Sequence, residues 1–393
     1  MNQKIQAFLF SVVAALSSFL FGLFLTSESV LYDNLESNYV TQNLNIHFKY
    51  YKSLFVSIIF LGAFFSSCFN YLGNMISRKY ILIANNILYL LGALIICFFD
   101  NIYLLLFCRF IVGMAAGISC CNVPNYIFST TDDKNRGFYM SFNSIGIVLG
   151  LVVGQSLGVY FGSERWFTVY IYIASFIFIH TMLLCLIRNS HSSITSNDTI
   201  SIAKLIKDRR ARKSIFLAIS FHFAQHACGI DYFSIFSEEI LKNQSNPGLQ
   251  GTFSLVFSAI ISIISCNFID KVGRKIFIVL STSVILVSTF LMGFNIINLP
   301  IILFYLFGFN IGMASIPWFI TNEIFPVEYM SAAMRLAVGV NWFSAFILSF
   351  INTPLHEKIG HYMFFFYTFV MSIFLAIVIT TFKETKNRPV GFQ

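Results

Sequence analysis

Residues 77–83 read SRKYILI and residues 273–279 read GRKIFIV. Each is a small residue, an arginine–lysine pair and then an apolar run. The two pairs stand 196 residues apart, half of a 393-residue chain. A GMA triplet recurs in the same order, at 113–115 and 312–314, and a proline follows each, Pro124 and Pro317. Matching punctuation in a common order marks an internal duplication. Both basic pairs close one apolar run and open the next.

Those runs decide the solvent. Hydrophobic residues make up 57% of the chain and charged ones 11%, where a soluble protein carries about 25% charged residues. Mean hydropathy is +0.77, and forty-eight phenylalanines exceed what a water-soluble core of this size can bury. Crossing about 30 Å of hydrocarbon takes roughly 20 apolar residues. Twelve runs meet this: 7–26, 53–73, 81–99, 102–124, 137–161, 167–187, 214–240, 251–270, 276–296, 300–322, 332–352 and 361–382. They are uniformly apolar rather than alternating, which calls for helices and excludes a barrel. The first run could be a signal peptide, but its length and the spans behind it make it the first span.

The expected fold is therefore an all-α membrane protein, with twelve transmembrane helices in two pseudo-symmetric six-helix bundles. The bundles are expected at 1–187 and 214–382, with a cytoplasmic linker at 188–213 and a cytoplasmic tail at 383–393. With the N-terminus inside, nineteen lysines and arginines fall on inner segments and five on outer ones, so both termini are expected in the cytoplasm. This placement accounts for the net charge of +8 and leaves no case for nucleic acid. Both basic pairs then lie inside, so the halves share one orientation, as in carriers built from parallel repeats. In the linker, Ile202, Leu205 and Ile206 recur at helical spacing among basic residues; they read either as a short helix on the inner membrane face or as a solvated linker. The Asn243 sequon is expected in an outer loop. All eight cysteines lie in apolar runs without a CxxC spacing, and read as packing residues rather than as a disulfide frame or metal site.

The seventh span carries FHFAQHACGIDYF, residues 221–233. At 100° per residue, His222, Gln225, His226 and Gly229 share an arc of about 100°. An aspartate at a helix centre costs about 2.5–3.5 kcal/mol to insert, and the six large apolar residues before His226 return roughly 3 kcal/mol. The polar face must then point into a bundle or a wet cavity. Asp231 lies opposite His222 in an ideal helix and joins that face only if the helix bends or unwinds near Gly229. Three readings are open: a ligand-binding face, interhelical hydrogen bonds alone, or a metal held by His222 and His226. In the tenth span, ASIPWFITNEIFP (314–326), Pro317 removes a backbone donor and frees a carbonyl. Trp318 offers an apolar face and one N–H, which suits a sugar's C–H faces and hydroxyl rim; it also suits plain packing at a proline kink. No Ser/His/Asp grouping, phosphate-binding loop or HExxH stands in the chain, which argues against an enzyme and gives no cofactor site.

SIPWFITNEIFP resembles the PIPWFIVAEIFP-type segment of the sugar porter family, the glucose-transporter-like branch of the major facilitator superfamily. HFAQHACGID (222–231) resembles its QLSQQLSGIN segment, and DKVGRK (270–275) its acidic-Arg-x-Gly-Arg-Arg loop. CRFIVGMAAG (108–117), VPNYI (123–127), RGFYMSFNSIGIVLG (136–150), GVNW (339–342) and KETKNR (383–388) follow in the family's order. The resemblance implies facilitative transport of a monosaccharide, a hexose such as glucose, by alternating access in a plasma membrane, as a monomer. It also implies a sugar site of Gln225, His226, Asp231, Ser258, Trp318 and Asn341, joined by His222 and, from the first half, Ser144 and Phe24. Gln225 and His226 match the paired glutamines that bond sugar hydroxyls, and Asp231 matches an asparagine beyond a break in this span. A cytoplasmic charge network is implied at Arg78, Lys79, Arg136, Asp270, Arg274, Lys275 and Glu323.

The departures bear on specificity and on energy source. Ser144, Ser258 and His226 replace glutamine, asparagine and glutamine. Met75, Ser129 and Met330 stand where the inner network has charges, so the resting population is expected to shift inward-facing. Gly22-Leu23-Phe24 occupies the place where proton-coupled relatives carry an aspartate, leaving Arg109 without that partner. This favours facilitated diffusion over proton symport, with His226 and Asp231 as an alternative titrating pair. Polyol transport and a non-transporting sugar sensor are the other readings; the eleven-residue tail argues against the sensor.

Overall fold

The computed structural model describes residues 3–27, 45–69, 76–99, 101–131, 136–161, 166–189, 200–235, 246–386, 388–389 and 391–393. The chain divides into two compact units, Met1–Ile194 and Thr195–Gln393, and the described residues form helices with no strand among them. The Asn243 sequon, Met75 and residues 190–199 of the linker lie outside the described residues, as do the side chains of Arg136 and Asp270.

The first unit holds α1 (Gln3–Thr26), α2 (Asn45–Phe69), α3 (Arg78–Phe98), α4 (Ile102–Thr130), α5 (Arg136–Phe161) and α6 (Trp166–Leu186). The second begins with a short helix, Ile202–Lys207, and continues with α7 (Arg212–Ala227, resuming as Ile230–Ile235), α8 (Pro247–Val272) and α9 (Arg274–Gly293). Next comes α10, in three pieces: Leu299–Gly308, a π turn at Phe309–Met313, and Ile316–Glu323. Then follow α11 (Val327–Ile359) and α12 (Met363–Thr381). Among the described residues nine stretches are long and apolar enough to cross a membrane, one of which, 327–381, contains both α11 and α12. The apolar part of α2, Ser53–Cys68, falls short of that length, and α7 falls short because its helix stops at Ala227.

The duplication read from the sequence reappears in the packing inside each unit. In the first, α1 packs on α5, α2 on α4, and α3 on α4 and α6. In the second, α7 packs on α11, α8 on α10, and α9 on α10 and α12. Without a hydrophobic force between helices in lipid, such crossings rely on close backbone approach through small residues. Gly146, Gly150 and Gly154 form a four-residue ladder on α5 facing α1. A Cβ at Gly150 would strike the Phe19 carbonyl and lie 3.0 Å from Gly22 Cα.

Several helices outrun the apolar windows that predict them. The fourth, expected at 102–124, runs to Thr130 with Pro124 inside it, and the eleventh, expected at 332–352, spans Val327–Ile359 with Pro354 inside it. Hydropathy measures the hydrocarbon slab, whereas backbone hydrogen bonding carries a helix on into the interface. The second, expected at 53–73, begins earlier, its described part running Asn45–Phe69. The tenth, expected as one helix, is broken at Ala314–Ser315. The linker helix forms at Ile202–Lys207 with Ser201 capping it. It buries Leu205 and leaves Ile206 exposed, and Asp208, just beyond it, accepts from Tyr329 Oη of α11 at 2.6 Å.

Candidate functional site

The polar face of the seventh span depends on one glycine. The α7 helix stops at Ala227, Gly229 adopts φ +93°, and the helix resumes at Ile230. An L side chain rarely tolerates that φ, and a Cβ there would also meet the Tyr367 ring at 2.7 Å. The break swings Asp231 round, so that His226 Nδ1 and Asp231 Oδ2 lie 2.8 Å apart. Tyr305 Oη of α10 donates to the Cys228 carbonyl at 3.1 Å, serving backbone left open by the break. Gln225, His226 and Asp231 are 6–8% exposed.

A second break is coupled to the first. Pro317 has no N–H, so the carbonyl four residues back, that of Met313, loses its helical donor. Gln225 Nε2 supplies the replacement, donating to the Met313 and Ala314 carbonyls at 3.0 and 3.1 Å. Its Oε1 accepts from Asn341 Nδ2 of α11 at 2.7 Å. Asn341 Nδ2 also reaches the His222 carbonyl at 3.3 Å. His222 Nε2 lies 3.3 Å from Thr321 Oγ1, and its ring meets Trp318 edge to face at 5.5 Å. Trp318 keeps part of its indole accessible and lies 6.4 Å from Trp342.

The expected site residues therefore separate into two groups. Gln225, His226, Asp231 and Trp318 stay together and retain accessible surface, and Ser258 on α8 is buried with its hydroxyl unpartnered among the described residues. His222 and Asn341 have no accessible surface at all. Their contacts are with α7, α10 and α11, so they brace the face rather than present atoms to a ligand. Among the described residues no group of three or more His, Cys, Asp or Glu is placed to hold a metal ion.

The π turn was not expected. Asn310 sits in it, accepting from Ser262 Oγ at 2.7 Å, while Ser265 Oγ donates to the Asn310 carbonyl at 3.0 Å. Ser281 of α9 donates to the Gly308 carbonyl and accepts from Met313 N–H. A lone asparagine in an apolar run flanked by serine-bearing spans was the available signal. Beyond the break, Tyr232 Oη lies 2.7 Å from His356 Nδ1 of α11.

The comparisons with known proteins agree with this architecture. The family model described as "Sugar (and other) transporter" matches residues 10–192 and 186–391. The chain belongs to the sugar transporter family. It is 25% identical to the facilitated glucose transporter member 2 of Sus scrofa, over 86% of this chain and 75% of that protein. It is 24% identical to the sugar transporter ERD6-like 8 of Arabidopsis thaliana, over 98% and 91%. Among solved structures, the proton:xylose symporter XylE bound to 6-bromo-6-deoxy-D-glucose matches with a TM-score of 0.83 at 17% identity, covering 99% of this chain and 98% of that one. A partially occluded inward-open XylE from E. coli matches at 0.82. At such identities the structural likeness speaks for the fold.

The two basic pairs of this sugar transporter do the same work in each bundle. Lys79 Nζ donates to the carbonyls of Cys185 and Ile187 at the end of α6; Lys275 Nζ donates to those of Ile379 and Phe382 at the end of α12. Lysine at a helix C-terminus satisfies orphan carbonyls and meets the negative end of the dipole. The arginines differ. Arg274 forms an ion pair with Glu323 at 2.9 Å. Among the described residues Arg78 reaches the Asn125 carbonyl, at 2.6 Å, and Ser129 bonds its own helix at Tyr126.

Two tail residues reinforce the second cluster. Thr385 Oγ1 donates to Glu323 Oε2. Glu384 accepts the N–H groups of Arg274 and Lys275 at 3.0 and 2.9 Å, where α9 begins. Burial pushes the Glu384 carboxyl up, but the backbone donors of Lys386, Lys275, Arg274 and Thr385 together outweigh it and hold it below the usual range. A depressed carboxyl stabilises the folded form above its unfolded pKa of about 4.3 and loses that contribution as pH falls through the folded value. Tail docking should therefore survive at pH 5 and loosen on acidification below about pH 4. In Glu384→Gln that acid-induced step should vanish, as read by limited proteolysis at Lys383 and Lys386.

Phe24 corrects an expectation. It is 1% exposed, stacked on Tyr89 at 5.5 Å and tilted against Tyr170, so its ring belongs to the core of its own bundle. A phenyl ring placed where relatives carry a carboxylate is driven inward by its apolar area. What position 24 offers instead is its main-chain carbonyl, which accepts from Arg109 Nη1 at 3.2 Å. Arg109 also reaches the Phe55 carbonyl at 3.4 Å and lies over the Phe55 ring at 5.2 Å. Ser144 on α5 is partly exposed.

Proposed function

We propose that the protein is a facilitative carrier of a monosaccharide, a hexose, in the plasma membrane, working by alternating access of its two bundles with both termini cytoplasmic. One observation carries the reading. On the broken α7, Gln225, His226 and Asp231 gather donors and acceptors beside an accessible Trp318 indole. Hydroxyl-bonding groups next to an aromatic face are what a pyranose needs. Gln225 Oε1 keeps one lone pair beyond the Asn341 bond, able to accept a sugar hydroxyl. Each bundle is braced internally by its own glycine crossings and basic clamps, which favours motion of bundles as bodies. The facilitative reading is supported by position 24, a phenylalanine whose main-chain carbonyl accepts from Arg109 Nη1. The named transport activities of the relatives, glucose among them, point the same way.

Purified protein in liposomes with a panel of labelled sugars tests this. Saturable hexose entry should stop when inside and outside concentrations match, with or without an imposed pH gradient. Failure to move any sugar refutes the carrier; accumulation above the outside concentration under a pH gradient refutes facilitation.

A further inference from the structure

The hydrogen bonds around Gln225, the neighbour of His226, run in one direction, and that direction is set at Pro317. The Met313 and Ala314 carbonyls can only accept, so the Gln225 group facing them is its NH2 and the group facing Asn341 is its oxygen. Asn341 must then donate, and its Nδ2 does so to Gln225 Oε1 and the His222 carbonyl. His226 Nδ1 meets the Asp231 carboxylate at 2.8 Å. One imidazole nitrogen thus faces a buried carboxylate across the Gly229 break. A neutral ring donates from one nitrogen and only an imidazolium from both.

We propose that His226 and Asp231 form a proton-binding site in the second bundle, and that its occupancy sets the affinity for sugar. This rests on the carrier reading and deepens it. With the proton bound, the pair is net neutral and locks Asp231 against His226 across the Gly229 break, which holds Gln225, His226 and Asp231 as one face. Without it, a buried carboxylate faces a neutral ring and the pair carries net negative charge at membrane depth. Water must then enter, and the face comes apart. Among the described residues, the other titratable groups acting on the pair include His222 and Cys228 of α7, Tyr305 of α10 and Tyr367 of α12. Tyr232 with His356 of α11 lies one step beyond the break. None of these is a lysine, an arginine or a second carboxylate. At pH values where the pair is already protonated the proton stays on it through the cycle and transport remains facilitative; only where alkaline pH has emptied the pair does sugar binding take a proton up.

The test is equilibrium exchange of labelled hexose in proteoliposomes, with equal pH on both sides, from pH 5.5 to 9. KM should be flat on the acid side and rise on the alkaline side toward a limiting slope of about tenfold per pH unit, the signature of one required proton. Asp231→Asn and His226→Gln should each flatten the profile, whatever their absolute rate. Calorimetry of hexose binding to the unsubstituted protein in buffers of different ionisation enthalpy needs no variant, and should show proton uptake on binding at alkaline pH. A flat profile with normal uptake overturns the proton site and leaves the carrier standing, as does a wild-type profile retained in Asp231→Asn. Absence of uptake at every pH sinks the carrier, and the proton site with it.

Discussion

Gln225→Ala should lower hexose kcat/KM by at least about 100-fold, close to 2.7 kcal/mol. The side chain has two duties. It caps the Met313 and Ala314 carbonyls and receives the Asn341 amide, and we assign its remaining lone pair to the sugar. Removing it takes the donor from the Met313 and Ala314 carbonyls and the shorter of two acceptors from the Asn341 amide, and a buried group left unsatisfied costs about 1–3 kcal/mol. A residue that only touched sugar would raise KM and leave thermal stability unchanged. A residue that only braced α10 would lower stability and leave KM alone. Both should move here. Pro317→Ala returns an N–H to the Met313 carbonyl, so in the Gln225→Ala background it should recover part of the stability but little of the affinity. Unchanged uptake kinetics in Gln225→Ala, for every sugar moved, would mean that this face is not the binding site.

The same residues show what the sequence made legible. Aspartate in an apolar run had to leave the lipid, and Gly229 was the one nearby position able to take the φ +93° that turns it inward. Pro317 announced a missing donor, and the carbonyl that it freed is the one Gln225 reaches. Such features are legible because each is a local rule broken in a setting that punishes the breach. The resemblance to the sugar porters supplied what locality could not, above all the meeting of α7 with α10 and α11. It also misled at Phe24. A family's site position carries over only with its chemistry, and a phenyl ring in place of a carboxylate packs on Tyr89 and Tyr170 instead. His222 illustrates a different limit. Periodicity placed it on the polar arc correctly, but an arc has depth. Whether a side chain braces the bundle or lines the face depends on the neighbouring helix, here on Thr321 and Trp318. The π turn at Phe309–Met313 escaped for a related reason, since its cause is a set of serines on α8 and α9 rather than anything within the turn.

Gly150→Leu should abolish folded protein outright. The α1–α5 crossing is a contact of backbones, since a Cβ at Gly150 meets the Phe19 carbonyl, lies 2.8 Å from Leu23 N and 3.0 Å from Gly22 Cα. None of these is the end of a flexible side chain, so relief requires the helices to part. Overpacking a core that can adjust costs about 1–3 kcal/mol; here the adjustment would also strip the neighbouring contacts at Gly146 and Gly154, whose own Cβ positions face Ala15, Leu23 and Thr26. Parting the crossing would also loosen Thr26 Oγ1 from the Leu151 carbonyl, which it reaches at 2.9 Å. The Phe24 carbonyl that holds Arg109 sits in the same turn of α1, so a buried guanidinium would lose an acceptor as well. Fluorescence-detected size exclusion should show loss of the monodisperse peak for Gly150→Leu. The adjacent Leu149, exposed on the outer face of the same helix, should tolerate alanine with a change within about 0.5 kcal/mol. A normal peak for Gly150→Leu would show that α1 and α5 are not held by backbone contact, and the small-residue ladder would lose its structural role.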